Sequence, residues 1–389
     1  MSTRGPVNSL RRFWFGPLKP EGYAAPRMPA PARFRSLSAA SLALSFALGA
    51  LPSCASTSAR TVSVLGAGVM NDPSNKSLRF DILKFGLSTF CSEMLKGGAP
   101  LKFGDDEPVV GRFFAESCDS QVLDDEAHKS FVVQYTGKGY AWTNVTQRLG
   151  FSSRGVVEYA TDFQLHDGAM YVYFRPRLID GAAFQTTLVE SALAQGGLAL
   201  AGVNANQLGK HIVESQLRRG FTVIRKDSSG GTDFAFGIVP PGEEPFKPFE
   251  VKRTEKQVLA NDRTEVHIGQ QDYVGAFEIT DSNQALYFTV AVDGTASADL
   301  LVVDKATGDK LLDGYLHTAG GASLSTPALL DDSASQKGGL WQRFVNVEPG
   351  RYYLVVDNST KLGKSAPDTS ARDDAAAKVD YLVLVGDRP

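Results

Sequence analysis

The sequence lacks an apolar run long enough to cross a membrane comfortably. The main run, residues 39–51, is shorter than the ~20 apolar residues that a spanning helix needs, and it contains Ser41 and Ser45. The sequence also lacks an excess of basic charge, because 40 Lys and Arg are set against 43 Asp and Glu. Nucleic acids and anionic surfaces attract basic faces. We therefore expect no nucleic acid as a partner.

Residue types that carry metal or covalent chemistry are few and scattered. The chain has three cysteines and five histidines. No Cys-x-x-Cys or His-Glu-x-x-His occurs, whereas zinc needs three or four converging ligands. Acidic residues cluster at 105–107 and 124–126, and each cluster is either a solvated loop or a calcium site. We predict no metal site.

Two glycine-containing segments fail the requirements of the motifs that they suggest. A dinucleotide loop needs three glycines between a strand and a helix, but Asn71 takes the third position after Gly66 and Gly68, and Pro73 delays the helix. Residues 150–155 have the wrong spacing for a nucleophile elbow. We therefore predict no cofactor and no catalytic residue.

What the chain does have is a leader. Arg33 and Arg35 precede the apolar run, which leads into Leu51-Pro52-Ser53-Cys54. Basic residues, a short apolar core and small residues are typical of a secretory signal. The segment resembles a bacterial lipobox, from which only Pro52 departs. The resemblance implies that Cys54 receives the lipid and becomes the mature N-terminus, so that residues 1–53 are a lipoprotein signal peptide. Because this leader is unusually long and a basic stretch follows Met28, we expect Met28 to be the true start. An ordinary signal peptide and a membrane anchor are the alternatives.

Removal of this leader changes the charge of the protein. Residues 1–53 hold seven basic residues and one acid, so the remaining chain is more acidic than the whole, whose net charge is −3. Ala55 follows the cysteine. Lipoproteins retained at the inner membrane carry an aspartate at that place, so the lipobox resemblance implies the outer membrane. We expect a protein of the cell envelope that is bound to the membrane through its N-terminal lipid.

Lipidation of Cys54 leaves two cysteines, Cys91 and Cys118. An exported chain meets an oxidising compartment, where such a pair tends to bond. We predict a Cys91–Cys118 disulfide, and two buried free thiols are the alternative.

Sequence patterns divide the mature chain into two domains. A small, polar tether at 54–61 precedes an α+β domain at 62–239, with two main helices and an antiparallel sheet. The first helix is predicted from Asp72-Pro73 to Gly97, on apolar positions at three- and four-residue steps, and the second from Asn204 to Gly220. Residues 240–250 are rich in proline and form the predicted linker.

The second domain, residues 251–389, is predicted to be a jelly-roll-like β-sandwich, because strand patterns alternate with turns and no helix interrupts them. Thr307-Gly308-Asp309 is taken as one of these turns. Asp272-Tyr273, residues 298–304 and Pro349-Gly350-Arg351-Tyr352-Tyr353 with residues 354–356 resemble the bacterial pre-peptidase C-terminal sandwich. The resemblance implies an accessory or binding module and carries over no catalytic residue.

These observations favour a non-enzymatic, lipid-anchored envelope protein with a binding α+β domain and an accessory sandwich. Its partner is an apolar ligand or an envelope protein, because the α+β domain is rich in phenylalanine and tyrosine. The same aromatic residues also suit an ordinary core. An envelope hydrolase with an unrecognised active site and a structural partner in an envelope complex are the alternatives.

Overall fold

The computed structural model describes residues 66–125, 129–191, 205–226, 232–251, 256–295, 297–365, 367 and 376–389. Cys54, the predicted leader and the tether lie outside these residues. The described chain is rich in strands, and the strands pair antiparallel. The predicted antiparallel sheets are thereby confirmed. None of the helices in the described ranges has the length and apolarity to span a membrane.

The first sheet has seven strands that lie side by side in chain order. They are β1 (Ala99–Leu101), β2 (Gly111–Asp124), β3 (Lys129–Thr143), β4 (Gln147–His166), β5 (Ala169–Val189), β6 (Phe221–Lys226) and β7 (Thr232–Phe236). Asp167 and Gly168 connect β4 to β5 with φ of 46° and 73°, as a two-residue hairpin requires. The sequence His166-Asp167-Gly168 predicts a hairpin turn at this place, and the prediction is confirmed.

Helices pack on this sheet. They are α1 (Lys76–Leu87), α2 (Phe90–Met94) and α3 (Ala205–Arg219). Gly220, with φ of 67°, follows α3, as predicted. The prediction of a single helix up to Gly97 is wrong, because a turn at Ser88 and Thr89 interrupts the helix between α1 and α2. There the hydroxyls of Ser88 and Thr89 donate to the carbonyls of Phe85 and Gly86 at 2.9 Å, and such local bonds compete with the helix.

The start of the described chain is fastened to β4. Residues 66–71 are helical, and the Asn71 amide donates to the Leu165 carbonyl at 2.8 Å and accepts from the Leu165 N–H at 2.9 Å. Arg79 of α1 binds Asp162 of β4 with Nε to Oδ1 at 2.6 Å and Nη2 to Oδ2 at 3.1 Å. It also donates to the carbonyl oxygens of Met70 and Asp72 at 2.7 Å. The first residues therefore dock on the sheet through polar contacts as well as packing.

Eight further strands form two four-stranded sheets. They are β8 (Gln257–His267), β9 (Gln270–Ile279), β10 (Gln284–Asp293), β11 (Ser297–Asp304), β12 (Leu330–Ser335), β13 (Trp341–Asn346), β14 (Gly350–Asn358) and β15 (Ala376–Asp387). The orders are β13-β10-β15-β8 and β12-β11-β14-β9. Inward residues of both sheets, such as Leu286, Val290, Leu300 and Leu354, belong to one buried cluster. The two sheets therefore share a hydrophobic core.

A helix interrupts these strands, which corrects the prediction that none does. It is α4 (Lys305–His317). Asp304 caps it, because its carboxylate accepts from the Thr307 N–H at 2.7 Å. Leu311, Leu312, Tyr315 and Leu316 bury one face. The turn predicted at Thr307-Gly308-Asp309 is therefore the first turn of a helix.

The two parts of the fold are joined by shared packing. Phe114 and Tyr140 of the seven-stranded sheet lie in one buried cluster with Tyr273, Leu301 and Tyr315. The described residues accordingly belong to one compact unit. The domain boundary predicted at 240–250 stays a prediction, because compactness alone does not say whether either part folds by itself.

Candidate functional site

A small cavity lies where the seven-stranded sheet meets β8, β9 and α4. Its volume is about 10 Å³, which is roughly the space for the centre of one water molecule. The residues around it are Val110, Gly111, Tyr140, Ala141, Trp142, Arg148, Thr264, Glu265, His267, Gln270, Gln271, Asp272 and Tyr315. Many of these side chains are polar, so the cavity is the candidate functional site. It is called the junction cavity below.

The strongest polar contact beside the cavity joins Arg112 of β2 to Asp272 of β9. Nε lies 2.7 Å from Oδ1 and Nη2 lies 2.8 Å from Oδ2, so the pair is bidentate. The Tyr140 hydroxyl donates to Oδ1 at 2.6 Å, and Arg112 Nη2 donates to the Tyr381 hydroxyl at 3.0 Å. The two charged side chains are only 3% and 4% exposed. Both charges are therefore buried and hydrogen-bonded to each other and to a tyrosine hydroxyl.

The strands bring these groups together through their register. Arg112 lies opposite Tyr140 in the β2–β3 pair, so their side chains share one face of the sheet. The Tyr140 hydroxyl then bridges the two parts of the fold, because it accepts from the Tyr273 N–H at 2.9 Å and donates to Asp272. A single phenol thus contacts both the backbone and a side chain of β9.

Charge neutralisation sets the protonation states in this cluster. Burial raises the pKa of Asp272, but the charge and hydrogen bonds of Arg112, with the hydrogen bond from Tyr140, outweigh it, and the pKa lies below its ordinary value. Burial also raises the pKa of Tyr140 well above its ordinary range, and the charge of Asp272 raises it further. The carboxylate is therefore ionised and the phenol neutral at physiological pH.

A second ion pair lines the other side of the cavity. Arg148 of β4 donates from Nη2 to Glu190 Oε1 at 2.8 Å and to the Thr318 carbonyl at 2.9 Å. Its guanidinium lies 4.0 Å from the centre of the Tyr315 ring, a cation–π contact. Gln270 joins the network, because its Nε2 donates to Glu190 Oε2 at 2.5 Å and its Oε1 accepts from the Tyr315 hydroxyl at 2.6 Å. This pair links β4 to both β9 and α4.

Some polar atoms at the cavity have no hydrogen-bond partner in the protein. They are Nε and Nη1 of Arg148, which is 1% exposed, and Nδ1 of His267, which is 7% exposed. His267 stacks on Trp142 with 3.3 Å between ring centres, and its Nε2 lies 3.0 Å from Glu265 Oε1. That hydrogen bond lowers the pKa of Glu265 against the effect of burial. Buried polar atoms without a partner favour a small polar occupant such as water.

A second polar cluster lies at one end of the central strands β11 and β14. Asp299 of β11 and Asp357 of β14 are direct cross-strand partners, and each is 1% exposed. Asp299 accepts from the Ser333 hydroxyl and from the Ser365 N–H. Asp357 accepts from the Ser359 hydroxyl at 2.6 Å and the Gly363 N–H at 3.2 Å. Burial, with the nearby charge of Asp299, raises the pKa of Asp357 despite these donors.

The described residues do not bring together three His, Cys, Asp or Glu side chains that could hold a metal ion. In the two acidic stretches of the sequence, Asp105 accepts from the Phe246 N–H at 2.9 Å, and Asp124 pairs with Lys84 and Lys129. Glu126 lies outside the described residues. Each stretch therefore contains an aspartate that binds a neighbouring group of the fold.

The predicted disulfide is confirmed. Cys91 of α2 is bonded to Cys118 of β2, with their Cα atoms 5.3 Å apart. The bond fastens the short helix to the sheet at a point where its neighbour Phe90 packs on Phe131 and Phe174. Cys54, the predicted lipid site, lies outside the described residues.

The junction cavity was not predicted from the sequence. Arg112 is the only cation of β2, and Arg148 directly precedes the buried Leu149 in β4. A charge among buried positions indicates a buried partner. Asp272 was noted only as part of a strand pattern. The partners could not be matched in advance, because the pairs join distant parts of the chain.

Comparisons with known proteins add no assignment. A scan against protein-family models finds no match to this chain, and a search of curated proteins finds none either. The function is therefore argued from the residues themselves.

Proposed function

We propose that this chain is a lipid-anchored protein of the cell envelope, held by a lipid on Cys54, with a non-enzymatic body that binds a partner. The observation that carries the proposal is that two of the three cysteines form a disulfide, which leaves Cys54 for the lipid. The chain has three, and Cys91 and Cys118 are bonded to each other. The remaining cysteine is the one that follows the lipobox-like segment.

The disulfide supports the cellular location. Disulfides persist in oxidising compartments and are rare in the cytosol. A protein that carries both a disulfide and a secretory leader is consistent with an exported chain. Ala55 then favours the outer membrane, where the body faces the periplasm or the cell surface.

The body comprises, in this proposal, an α+β domain and a jelly-roll sandwich. The strand orders β13-β10-β15-β8 and β12-β11-β14-β9 support the second assignment, because strands of a jelly roll pass repeatedly from one sheet to the other. Helices α1, α2 and α3 on the seven-stranded sheet support the first. The sandwich then acts as the accessory module.

The junction cavity supports binding over catalysis. A catalytic base must reach a substrate proton, but Asp272 is buried and occupied by Arg112 and Tyr140. This network is suited to fixing the two parts of the body in one orientation. A rigid body presents its outer surfaces to a partner without a further cost of ordering.

An apolar ligand is a narrower form of the same proposal. Phe90, Phe131, Phe174 and Phe221 pack on one another, with 4.2 Å between the ring centres of Phe174 and Phe221. Such a ligand would therefore bind by displacing α1 and α2 from the sheet. Organic extraction of protein purified from its own membranes tests this idea, and recovery of no stoichiometric lipid other than the N-terminal acyl groups would count against it.

The test of the anchor is a Cys54→Ala variant, with the Cys91→Ala and Cys118→Ala double variant as control. We expect Cys54→Ala to move from the membrane pellet to the soluble fraction, and the mass of the mature wild-type N-terminus to include acyl groups. The control should stay in the pellet. If Cys54→Ala still pellets after a carbonate wash, or if the wild type carries no acyl group, the lipid anchor is wrong.

A further inference from the structure

Helix α1 has apolar residues on two opposite faces. Its inner face buries Phe80, Leu83 and Leu87. Its outer face carries Leu78, Ile82 and Phe85, which are 46%, 37% and 85% exposed. Their spacing of four and three residues places them in one line along the helix. We call these three residues the outer stripe of α1.

The outer stripe is not explained by the fold. A helix on the surface of a soluble protein has one apolar face and one polar face. The inner face of α1 already packs in the cluster around Phe131 and Tyr159, so the outer stripe adds nothing to that core. Phe85 is the most exposed of the large apolar side chains in the described residues. A line of such side chains indicates a contact outside the body.

The position of the stripe in the chain indicates its occupant. Residues 55–65 separate Cys54 from the first described residue, Gly66. Fully extended, such a segment spans at most roughly 40 Å. A lipid on Cys54 therefore keeps Gly66 within roughly 40 Å of the bilayer surface. Among the α-helices with defined bounds, α1 is the first after the anchor, and it begins ten residues after Gly66.

We propose that the outer stripe of α1 inserts into the lipid surface to which Cys54 is anchored. This inference rests on the proposed function. Helices that lie in the bilayer interface bury large apolar side chains at the boundary between headgroups and acyl chains. Three side chains alone bind weakly, but a tether raises their effective concentration at the membrane. The anchor and the stripe together fix which side of the body faces the bilayer.

The charges around the stripe favour an apolar contact with lipid over an electrostatic one. The chain without its leader is acidic, and Lys84 beside the stripe is already paired with Asp81 and Asp124. The contact is therefore apolar. It should form on vesicles of phosphatidylethanolamine and phosphatidylglycerol and should persist at high salt, where contacts between exposed charges are screened.

The experiment places a tryptophan reporter on the stripe. Lipidated protein with Phe85→Trp is purified in detergent and reconstituted into vesicles of phosphatidylethanolamine and phosphatidylglycerol. Leu340→Trp, at a side chain that is 60% exposed on the two-sheet part, is the matched control. Emission is read as the difference from wild type, which has its own tryptophans at positions 142 and 341. We expect a blue shift of this difference emission and an about twofold fall in its acrylamide quenching for Phe85→Trp, as insertion into the interface requires. Leu340→Trp should show neither.

Two outcomes overturn the inference, and a third separates it from the proposed function. Equal quenching of both reporters would mean that the stripe does not touch lipid. A blue shift without vesicles that grows with protein concentration would identify a second copy of the chain as the occupant. If the N-terminus carries no acyl group, the proposed function fails by itself, and the reporters are then compared on the soluble protein mixed with the same vesicles. A shift confined to Phe85→Trp would keep the stripe as a lipid contact, and no shift would remove it.

Discussion

The guanidinium of Arg112 and the carboxylate of Asp272 form a bidentate pair across the junction of the fold, although 160 residues separate them in the chain. One belongs to the seven-stranded sheet and the other to the two-sheet part. Both are almost completely buried. The pair therefore couples the stability of one part to that of the other.

Replacement of Arg112 by methionine should strongly destabilise the protein. The change leaves the Asp272 carboxylate buried without its counter-charge, and the loss of one partner of such a pair costs about 3 to 5 kcal/mol. Urea unfolding followed by circular dichroism measures the loss. The double variant Arg112→Met with Asp272→Leu should lose less than the single variant, because no uncompensated charge remains.

Arg351→Met is the control for this prediction. Arg351 pairs with Glu278 at 3.6 Å on the surface, and such a pair is worth less than about 1 kcal/mol.

The difference in the free energy of unfolding between wild type and Arg112→Met should also become smaller as the pH falls. The lowered pKa of Asp272 gives the wild type stability that is present above the ordinary carboxyl pKa and lost in acid. Equal losses at both arginines would contradict the coupling role.

Asp357→Asn should change how stability depends on pH. Burial raises the pKa of Asp357, so the folded protein binds a proton more tightly than the unfolded chain. Stability therefore falls as the pH rises from the ordinary carboxyl pKa through the raised one. The asparagine variant should show a flatter profile in that window in urea unfolding at several pH values.

Asp72→Asn provides the opposite case. Hydrogen bonds from Ser74 lower the pKa of Asp72, so its contribution is present above the ordinary carboxyl pKa and fades as the pH falls through the lowered one. The unfolding free energy of Asp72→Asn should therefore depart from the wild-type pH profile below the ordinary carboxyl pKa, and that of Asp357→Asn above it. The same profile for Asp357→Asn and wild type would show that Asp357 is not protonated more readily in the folded state.

Removal of the disulfide should weaken the fold without detaching the protein from membranes. The bond closes a loop with a sequence separation of 27, and the chain-entropy account assigns about 3 to 4 kcal/mol to such a loop. The Cys91→Ala and Cys118→Ala double variant should lose this amount in urea unfolding, as should reduced wild type. Detection of two thiols in the unreduced mature protein would contradict the bond.

Two helical glycines should respond to alanine in opposite directions. A Cβ at Gly86 in α1 meets nothing within 4 Å, whereas one at Gly209 in α3 would lie 2.1 Å from the Phe184 ring. Gly86→Ala should stabilise the protein by about 0.5 to 1 kcal/mol, because glycine in a helix is entropically unfavourable. Gly209→Ala should destabilise it by about 1 to 3 kcal/mol through overpacking. Thermal unfolding of both variants tests whether Gly209 of α3 packs closely on Phe184 of β5.

The sequence was informative where patterns are local. The hairpin at Asp167-Gly168, the helix that ends before Gly220 and the disulfide all follow from neighbouring residues or from the oxidising compartment. The sequence predicts no strand at β8 or β12, because polar residues interrupt the apolar alternation there, as in Asn261-Asp262-Arg263 and Asp331-Asp332-Ser333. Those side chains bind partners in other strands, as Arg263 binds Asp380.

Helix α4 and the junction cavity were missed for a related reason. Gly308 and Asp309 suggested a turn, while the signal for a helix was the capping Asp304 and the apolar side chains from Leu311 to Leu316. The Arg112–Asp272 pair depends on how two distant sheets meet. No local pattern contains that information, because the register of one sheet does not determine its packing on another.

The contacts of Asn71 and Arg79 with β4 also determine how the body responds to force. When the chain is pulled from its N-terminal side, the load reaches the amide clamp on Leu165 and then the ion pair with Asp162. Both must open before α1 is peeled from the sheet. Tension is therefore borne by the long strand β4 and its neighbours. Under such a pull the seven-stranded sheet is therefore loaded together with the first described residues.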